Sequence, residues 1–368
     1  MKNVLILGGS GNFGKRIAFA LAKASIPIII AGRDSSKLQA LQNTIQKLYS
    51  SYSVKYNEID VKLDLTDKLE KLKPSIVINT VGPFQTSNYD IATTCIKKNI
   101  HYIDLADGID FVCGINTLDK LAKQHNVAAI SGASTVPGLS SAVLEKYKNE
   151  FTEIESLTYG ISPGQKAERG LATTKGILSY IGKPLKISGS NNIMRYGWQD
   201  LYQQEYPELG KRWMANCEIP DLNLFPSKYG IKQIHFSAGM ESSALHLSIW
   251  VVSWLVRVGL ISKLANYAPL LLRTSHVFDW LGTDDGGMHM IIRGIDKKNL
   301  FKEIKWFIIS KNGDGPQIPT IPAIILAKKL FYKKFTYQGA YPCIGMISLD
   351  EYLEELKEFN VKIHKSVS

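Results

Sequence analysis

Apolar runs and amphipathic stretches alternate regularly along the first 150 residues of the chain. The apolar runs are short enough to be buried strands, and the stretches between them have helical spacing. The predicted strands are Val4–Leu7, Pro27–Ala31, Val54–Val61, Ile76–Ile78, His101–Leu105 and Val127–Ile130. The predicted helices are Lys15–Lys23, Lys37–Tyr49, Asp67–Leu72, Tyr89–Lys98 and Phe111–Gln124. Such alternation is typical of an α/β domain with a doubly wound parallel sheet.

The pattern changes near Glu153, where the alternation becomes irregular. The predicted strands of this part are Ile154–Ser162, Ile231–Gly239, Met288–Ile295 and Glu303–Ser310. The predicted helices are Leu171–Ile181, 243–258 and 261–273. The last two strands can pair antiparallel across Asp296–Leu300, which favours a mixed sheet. We therefore expect one domain over 1–150, a second α+β domain over 151–337 and a C-terminal segment over 338–368 that returns to the first domain. In that segment Ser348 and Glu351 have capping-box spacing.

Glycines with a defined spacing follow the first predicted strand. The run Gly9-Ser10-Gly11-Asn12-Phe13-Gly14 has the form G-x-G-x-x-G and leads directly into a predicted helix. Gly9 would permit the tight turn, Gly11 a close approach of backbone to pyrophosphate, and Gly14 close helix–strand packing. The helix amides would face the phosphates. The sequence therefore predicts a Rossmann domain in which these six residues bind a dinucleotide.

The residues after the second predicted strand indicate which dinucleotide is bound. An acidic residue at this place holds the ribose 2′-hydroxyl of NAD, whereas an arginine accommodates the 2′-phosphate of NADP. The chain offers both, as Arg33 and Asp34. Arg33 comes first, and its planar guanidinium matches phosphate geometry well. This order favours NADP(H), with ribose binding by Asp34 as the alternative.

Further loops follow the predicted strands at the carboxyl edge, where open α/β sheets bind ligands. Asp60 closes the third strand, where it could reach the adenine or be a surface-turn residue. The sixth strand leads into a second glycine-containing crossing, Ser131–Leu139, in which Pro137 suits the first turn of a helix. The loop after the fourth strand is expected to form one wall of the nicotinamide pocket, and its residues are Thr80, Val81, Gly82, Pro83 and Phe84.

Composition narrows the class of protein. The 368 residues are 45% hydrophobic, which is enough for two globular cores. The net charge is +11, but the lysines are dispersed and no recognition motif is present, so no nucleic-acid binding is expected. Four cysteines lack the spacing of metal ligands, and no metal is expected. The N-terminus lacks the features of a signal peptide, so we expect a cytoplasmic protein.

Several motifs occur together in one family. With GGSGNFG, AGRD, NTVGPFQ, HYIDLADG and SGASTVPGLSS in this order, the chain resembles a bacterial member of the saccharopine dehydrogenase-like family of NADP-binding oxidoreductases. The resemblance extends, less sharply, through 162–173 and 339–343. It implies that the second domain carries the substrate pocket and a homodimer contact. Related enzymes act on amino acids joined through a secondary amine, but this chain has Ser134–Leu139 in place of their G-L-D-P-G-type segment.

Few residues are candidates for catalysis, because the hydride chemistry would belong to the nicotinamide. Asp104 lies at the end of a predicted strand and is a candidate proton carrier. Arg169 and Thr173, at the opening of the first helix of the second domain, could meet an anionic group of the substrate or serve as capping and surface residues. The predicted function is therefore an NADP(H)-dependent oxidoreductase that moves hydride to or from a carbon bearing nitrogen or oxygen in a small anionic substrate. Other candidate proton carriers are Tyr102, Asp107, His235, His276, Asp284 and His289.

One stretch, Leu245–Ile261, is as apolar as a membrane segment, although Arg257 lies within it and Lys263 just beyond. It is at the lower length limit for a span. A core or dimer-interface helix, a segment lying on a bilayer and a span are the alternatives, in that order. The alternative functions are a reductase of a lipid-like substrate and a non-catalytic NADP-binding protein with a regulatory or membrane-peripheral role.

Overall fold

The protein, described here by a computed structural model over residues 2–49, 53–185, 194–334 and 336–368, folds into two compact units. The first unit comprises Met1–Val143 and Gln317–Glu355, and the second comprises Leu144–Pro316 and Leu356–Ser368. Each unit is built on its own seven-stranded sheet. No helix of the described residues is both long and apolar enough to cross a bilayer.

Strands and helices are labelled in chain order within the described residues. The strands are Val4–Leu7 (β1), Ile28–Gly32 (β2), Val54–Glu58 (β3), Ile76–Asn79 (β4), His101–Asp104 (β5), Ala128–Ser131 (β6), Phe151–Ser162 (β7), Tyr202–Tyr206 (β8), Gly210–Asn216 (β9), Gln233–Gly239 (β10), Gly286–Asp296 (β11), Phe301–Ser310 (β12), Gly339–Pro342 (β13) and Val361–Val367 (β14). The helices are Asn12–Lys23 (α1), Ser35–Leu48 (α2), Leu65–Leu72 (α3), Asp90–Lys97 (α4), Ile109–Cys113 (α5), Asp119–Gln124 (α6), Ser140–Tyr147 (α7), Leu171–Tyr180 (α8), Asp221–Tyr229 (α9), Ser243–Arg257 (α10), Ala268–His276 (α11), Ile321–Phe331 (α12) and Leu349–Leu356 (α13).

The sheet of the first unit is parallel throughout and has the order β13-β6-β5-β4-β1-β2-β3. The strand order reverses between β1 and β4, and α/β sheets bind ligands at this kind of switch point. The central strands β1 and β4 are buried along their whole length, as expected for strands covered by helices on both faces. The predicted doubly wound sheet is confirmed, with β13 as an additional edge strand.

The sheet of the second unit is mixed, with the order β14-β12-β11-β7-β10-β9-β8. Strands β7 and β10 pair parallel, and the other neighbours pair antiparallel. The predicted hairpin is present as β11 and β12, and the amide of Asp296 donates to the carbonyl of Leu300 at 2.9 Å to close its turn. The expected α+β domain on a mixed sheet is therefore confirmed.

Two predicted helices are divided in the structure. The segment expected as one helix, Phe111–Gln124, consists of α5, a 3-10 segment and α6. The Tyr89 hydroxyl donates to the Phe111 carbonyl at 2.5 Å close to the end of α5. The segment 261–273 contains a 3-10 turn before α11, since Lys263 has a left-handed backbone and Pro269 lies in the first turn of α11.

The last fifty residues or so are divided between the units differently from the expected boundaries. Residues Gln317–Glu355 belong to the first unit, in which α12 packs against α1, β4 and β5. Strand β13 returns to the first unit and pairs with β6, whereas β14 pairs with β12 in the second unit. The capping box is present at α13, where the Glu351 amide donates to Ser348 Oγ at 3.2 Å and the Ser348 amide donates to Glu351 Oε2 at 3.0 Å.

Candidate functional site

The turn from β1 to α1 depends on Gly8 as well as on the three predicted glycines. Gly8 has φ of +75°, so Gly8, and not Gly9, adopts the left-handed backbone conformation that the tight turn requires. A Cβ on Gly8 would lie 2.5 Å from Thr80 Oγ1, and a Cβ on Gly14 would lie 2.2 Å from the Gly8 carbonyl oxygen. Helix α1 therefore packs as closely on the turn as the motif predicts. In the sequence, the pair Gly8-Gly9 directly after the first apolar run could have indicated the role of Gly8.

The N-terminus of α1 is arranged to receive an anion. The helix begins at Asn12, three residues before the predicted start, and its cap residue Gly11 is exposed. No side chain caps this end, and its first turn contains no acidic residue. Arg16 Nη1 donates to the Asn12 carbonyl at 2.6 Å, which keeps a cation one turn into the helix. A helix N-terminus without a side-chain cap and a nearby positive charge together favour phosphate binding.

The two residues expected to select the cofactor have different roles. The Asp34 carboxylate caps α2, accepting from Ser36 Oγ at 2.6 Å and from the Lys37 amide at 3.1 Å. These hydrogen bonds lower the pKa of Asp34 to about 2. The Arg33 side chain is exposed and forms no hydrogen bond or ion pair with the described residues. Arg33 is therefore available to a phosphate, whereas Asp34 is engaged in its own helix.

Asp60 is engaged in a surface turn. Its Oδ1 accepts from the Lys62 amide at 3.0 Å, and its own amide donates to Asp64 Oδ1 at 2.9 Å. The turn lies directly after β3, at the carboxyl edge of the sheet. The structure thus gives Asp60 a local turn-forming role, and contact with the adenine stays a prediction.

The loop after β4 is fixed to the glycine turn by Thr80. Thr80 Oγ1 donates to the Leu7 carbonyl at 2.8 Å. The preceding Asn79 is buried, donates to the Tyr102 hydroxyl at 3.1 Å and accepts from the Val81 amide at 3.0 Å. These bonds tie the ends of β1, β4 and β5 together. Thr80 therefore positions the loop with its side chain.

The remaining loop residues differ in exposure. Val81, Gly82 and Pro83 are half-buried, whereas Phe84 is buried and its ring centroid lies 5.3 Å from that of Phe111. The accessible part of the predicted nicotinamide wall is thus the half-buried Val81-Gly82-Pro83. Phe84 supports it from beneath.

Asp104 joins the ends of β5 and β6. Its side chain is fully buried, and Oδ1 accepts from Ser131 Oγ at 2.9 Å, the Gly132 amide at 2.9 Å and the Ala106 amide at 3.0 Å. Burial raises the pKa of Asp104 to about 6, against the opposing effect of these hydrogen bonds. Oδ2 is buried without a hydrogen-bond partner. The predicted proton carrier therefore holds the crossing after β6 in place.

Asp107 lies three residues further along the same edge and is half-buried. Its Oδ1 accepts from Gln85 Nε2 at 3.0 Å. Burial raises the pKa of Asp107. A carboxyl group with a raised pKa and partial exposure at a ligand-binding edge has the properties of a general acid or base.

The crossing after β6 is more enclosed than the sequence predicts. Ser134 is half-buried, but Thr135–Leu139 are buried and form an irregular turn, with Val136 extended, before α7 begins at Ser140. A Cβ on Gly138 would lie 2.8 Å from Pro322 Cγ, so α12 packs directly on the crossing. The helix expected near Pro137 therefore begins later, and this part of the crossing is buried.

Arg169 and Thr173 belong to the second unit. The Arg169 guanidinium is paired with the Asp279 carboxylate, and its Nη2 lies 3.3 Å from His276 Nδ1. Thr173 is exposed in the first turn of α8. The Arg169 charge thus has an internal partner, and the proposed contact of either residue with substrate stays a prediction.

Two candidate proton carriers, His289 and His235, lie in the second sheet with hydrogen-bond partners. His289 is fully buried, its Nδ1 is 2.8 Å from the Tyr206 hydroxyl, and burial lowers its pKa to about 3. His235 Nε2 lies 2.8 Å from Asn216 Oδ1, and burial lowers its pKa to about 4. Both rings are neutral near pH 7. An open cavity of about 650 Å³ lies on this unit, beside Tyr206, Arg293 and Phe307, and contains none of the predicted site residues.

The first unit therefore has the features that an NADP site requires. The Gly8–Gly14 turn, the uncapped start of α1 and the unengaged Arg33 lie around the switch point of one parallel sheet. Ser10 Oγ would be 3.8 Å from a Cβ on Gly32, which brings the glycine turn close to the end of β2. These observations define an NADP-binding Rossmann domain.

Comparison with known proteins gives the family of the first part of the chain. Residues 4–177, just under half of the chain, match the family model described as the saccharopine dehydrogenase NADP binding domain. This part of the protein is accordingly an NADP-binding domain of the saccharopine dehydrogenase type. A structure of apo saccharopine dehydrogenase (L-Glu forming) from Saccharomyces cerevisiae is similar over 100% of both chains, with a TM-score of 0.68 and 13% identity. This likeness shows that the whole fold is shared.

Curated relatives match over shorter stretches. A very-long-chain 3-oxoacyl-CoA reductase from Emericella nidulans is 34% identical over 85 residues, which are 21% of this chain and 25% of the relative. A putative steroid dehydrogenase 3 from Caenorhabditis elegans is 28% identical over 124 residues, which are 32% of this chain and 36% of the relative. The chain thus spans about a quarter to a third of the length of the curated relatives it matches.

Proposed function

We propose that the protein is an NADP(H)-dependent oxidoreductase that transfers hydride to or from a carbon bearing nitrogen or oxygen. The observation that carries the proposal is the exposed, unengaged Arg33 next to an Asp34 that caps its own helix. This pair suits a 2′-phosphate and leaves no free carboxylate for the ribose of NAD. Bound NADP(H) would supply or accept the hydride, and the protein would orient the reactants and exchange protons.

We assign the proton exchange to Asp107. Asp104 is fully buried, with three hydrogen bonds to Oδ1, and is better suited to positioning the β6 crossing. Asp107 is partly exposed at the same edge, and Gln85 orients its carboxylate. Its raised pKa brings proton gain and loss closer to neutral pH, where general acid–base catalysis works best.

Two substrate classes follow from different observations. A small anionic substrate would use Arg169, and it would have to compete with Asp279 for the guanidinium. A lipid-like substrate is the second candidate, because exposed apolar side chains lie on the C-terminal half of α10 and on the segment after it in the second unit. One curated relative with a partial match is named for a very-long-chain acyl-CoA. Both classes present a carbon suited to hydride transfer.

The proposal can be tested with a deletion strain and purified protein. Metabolites that accumulate in the strain are supplied to the protein, and NADPH oxidation is followed. With a turned-over compound, Arg33→Ala should raise the KM for NADPH roughly tenfold to a hundredfold, because a charge-assisted hydrogen bond contributes about 1.5 to 3 kcal/mol. KM for NADH should stay unchanged. Asp34→Asn is the matched control, since it can keep the helix cap and should leave both constants unchanged.

A second variant tests the proton carrier in the same assay. Asp107→Asn should lower kcat by about a hundredfold or more and leave NADPH binding intact, since general acid–base catalysis contributes on that order.

Equal KM values for NADPH in the Arg33→Ala and unmodified proteins would contradict the cofactor assignment. Tight NADPH binding without turnover of any accumulated compound would favour the non-catalytic alternative.

A further inference from the structure

Helix α10 has large apolar side chains on its exposed side as well as on its packed side. Its inner side chains, among them Ile249, Trp250 and Val256, pack against a buried cluster of the second unit. On the outer face Val251 is 50% exposed, and Val258, directly after the helix, is 64% exposed. A surface helix of a globular protein ordinarily presents polar residues to water. Ser243 and Ser248 follow this rule, whereas the exposed side of the C-terminal half of α10 is largely apolar.

The exposed apolar surface continues along the chain beyond α10. Leu260 is 75% exposed and Trp280 is 76% exposed, and the segment between them adds further large side chains. We call the following residues the apolar surface: Val251, Trp254, Val258, Leu260, Tyr267, Leu270, Leu271, Val277, Phe278, Trp280 and Leu281. Isolated exposed apolar residues are common, but a run this dense within one segment indicates an interaction site.

The unpaired charges in this segment have one sign. Residues 242–281 contain one acidic residue, Asp279, and its carboxylate is paired with Arg169. Lys263 and Arg273 are exposed and form no ion pair with the described residues. The guanidinium of Arg257 lies 4.9 Å from the Trp254 ring centroid. The apolar surface is therefore accompanied by cations that have no internal counter-charge in the described part of the chain.

We propose that the apolar surface docks the protein onto an anionic lipid bilayer, with its side chains in the headgroup and acyl boundary and Lys263 and Arg273 against the lipid phosphates. Tryptophan and tyrosine favour this boundary because one part of each ring system is apolar and another is polar. Basic residues next to an apolar face add electrostatic attraction to anionic lipids. Helix α10 has 15 residues, too few for a span, so it would lie along the surface.

A second copy of the chain fits the same surface less well. In a two-fold dimer the same patch meets itself. Contact through the apolar surface would then bring Lys263 and Arg273 of both copies together, and the one acidic residue of 242–281, Asp279, is already paired with Arg169. An anionic bilayer supplies the missing negative charge.

Flotation of the full-length protein with vesicles tests the proposal. Vesicles of phosphatidylcholine alone are compared with vesicles that contain phosphatidylglycerol. The unmodified protein should float with the anionic vesicles and much less with the neutral ones. Trp280→Ser and Leu260→Ser should each lower the partition constant roughly tenfold, as expected for losing one buried apolar side chain. Lys263→Gln with Arg273→Gln should lower it roughly tenfold or more on anionic vesicles only.

Matched controls come from exposed apolar residues outside the surface. Leu63 is 85% exposed and Phe301 is 60% exposed, so Leu63→Ser and Phe301→Ser remove similar side chains and should leave flotation unchanged. NADPH affinity and the thermal melt of each variant report intact folding. The proposal is overturned if the unmodified protein does not float, if the controls weaken flotation as much as the surface variants, or if Trp280→Ser only separates a dimer. None of these outcomes depends on hydride transfer.

Discussion

At the scale of single residues, Asp104 shows how burial changes a carboxyl group. Its Oδ1 accepts three hydrogen bonds, whereas Oδ2 is buried without a partner. A proton on Oδ2 would lower the electrostatic cost of burial and keep all three bonds to Oδ1. The pKa of about 6 expresses this balance, because desolvation opposes the charged form more strongly than the donors favour it.

The raised pKa of Asp104 predicts a pH dependence of stability. An acid with a higher pKa in the folded than in the unfolded state binds its proton more tightly when folded, so its contribution to stability is lost as pH rises. The free energy of unfolding should therefore fall by roughly 3 kcal/mol between about pH 4 and about pH 7. Asp104→Asn should remove this fall, which denaturant unfolding at several pH values can measure.

A second substitution at Asp104 separates charge from hydrogen bonding. Asp104→Ala leaves Ser131 Oγ and two backbone amides without their acceptor. It should lower the free energy of unfolding by about 3 kcal/mol or more at every pH, because buried unsatisfied donors are costly. If Asp104→Asn and the unmodified protein show the same pH dependence, the assignment of the titration to Asp104 is wrong.

At the scale of elements, the turn from β1 to α1 uses its glycines for two purposes. A Cβ on Gly14 would lie 2.2 Å from the Gly8 carbonyl and 2.8 Å from Gly9 Cα, so neither neighbour could rotate away. Gly11 is exposed, and its Cβ would meet only the Gly8 carbonyl, at 3.1 Å. Gly14 therefore serves helix–strand packing, and Gly11 leaves room for a ligand.

This difference predicts opposite effects of two similar substitutions. Gly14→Ala should destabilise the first unit by about 1 to 3 kcal/mol, because α1 must move away from the turn. Gly11→Ala should leave the thermal melt nearly unchanged and weaken NADPH binding by about tenfold, because its methyl group occupies the approach of the phosphates. Calorimetry with and without NADPH measures both effects. A Gly11→Ala variant that melts early and binds NADPH normally would contradict this division of roles.

At the scale of the whole molecule, the last strand completes the second sheet. Strand β14 pairs with β12 from Ile304 to Ser310, and the Glu303 amide donates to the Ser368 carbonyl at 2.7 Å. Strand β14 is the edge strand and carries Lys362 and Lys365, whereas β12 is buried from Trp306 to Ser310, so loss of β14 would expose a more apolar edge that promotes association between chains. The C-terminus therefore matters for the second unit and not for the sheet that carries the NADP site.

Deletion of residues 361–368 tests this division. The truncated protein should melt at a lower temperature and associate more readily, because one edge of the second sheet loses its partner. NADPH affinity should stay within about twofold of the full-length value, since the binding residues lie in the first unit. Deletion of residues 367–368 alone is the matched control and should have a much smaller effect. Loss of NADPH binding in the longer deletion would show that the two units depend on each other.

The first sheet could be predicted from sequence because its signals are local. Its central strands are uninterrupted apolar runs, and the glycine spacing marks the turn that follows β1. The order of Arg33 and Asp34 also points to NADP, and the cap formed by Asp34 strengthens that conclusion. By contrast, β13 is a four-residue strand whose partner β6 lies about two hundred residues away, so its pairing has no local signal.

The sequence by itself determined the parallel sheet, the dinucleotide turn and the type of cofactor, because apolar runs and glycine spacing act on neighbouring residues. Only the tertiary structure decided which carboxylates are accessible. Asp104 and Asp107 look alike in the chain, yet the end of β6 covers the first and leaves the second half-buried. Tertiary packing also decided which side chains of α10 are exposed, because the apolar sequence of a helix does not show which of its side chains pack against the rest of the protein.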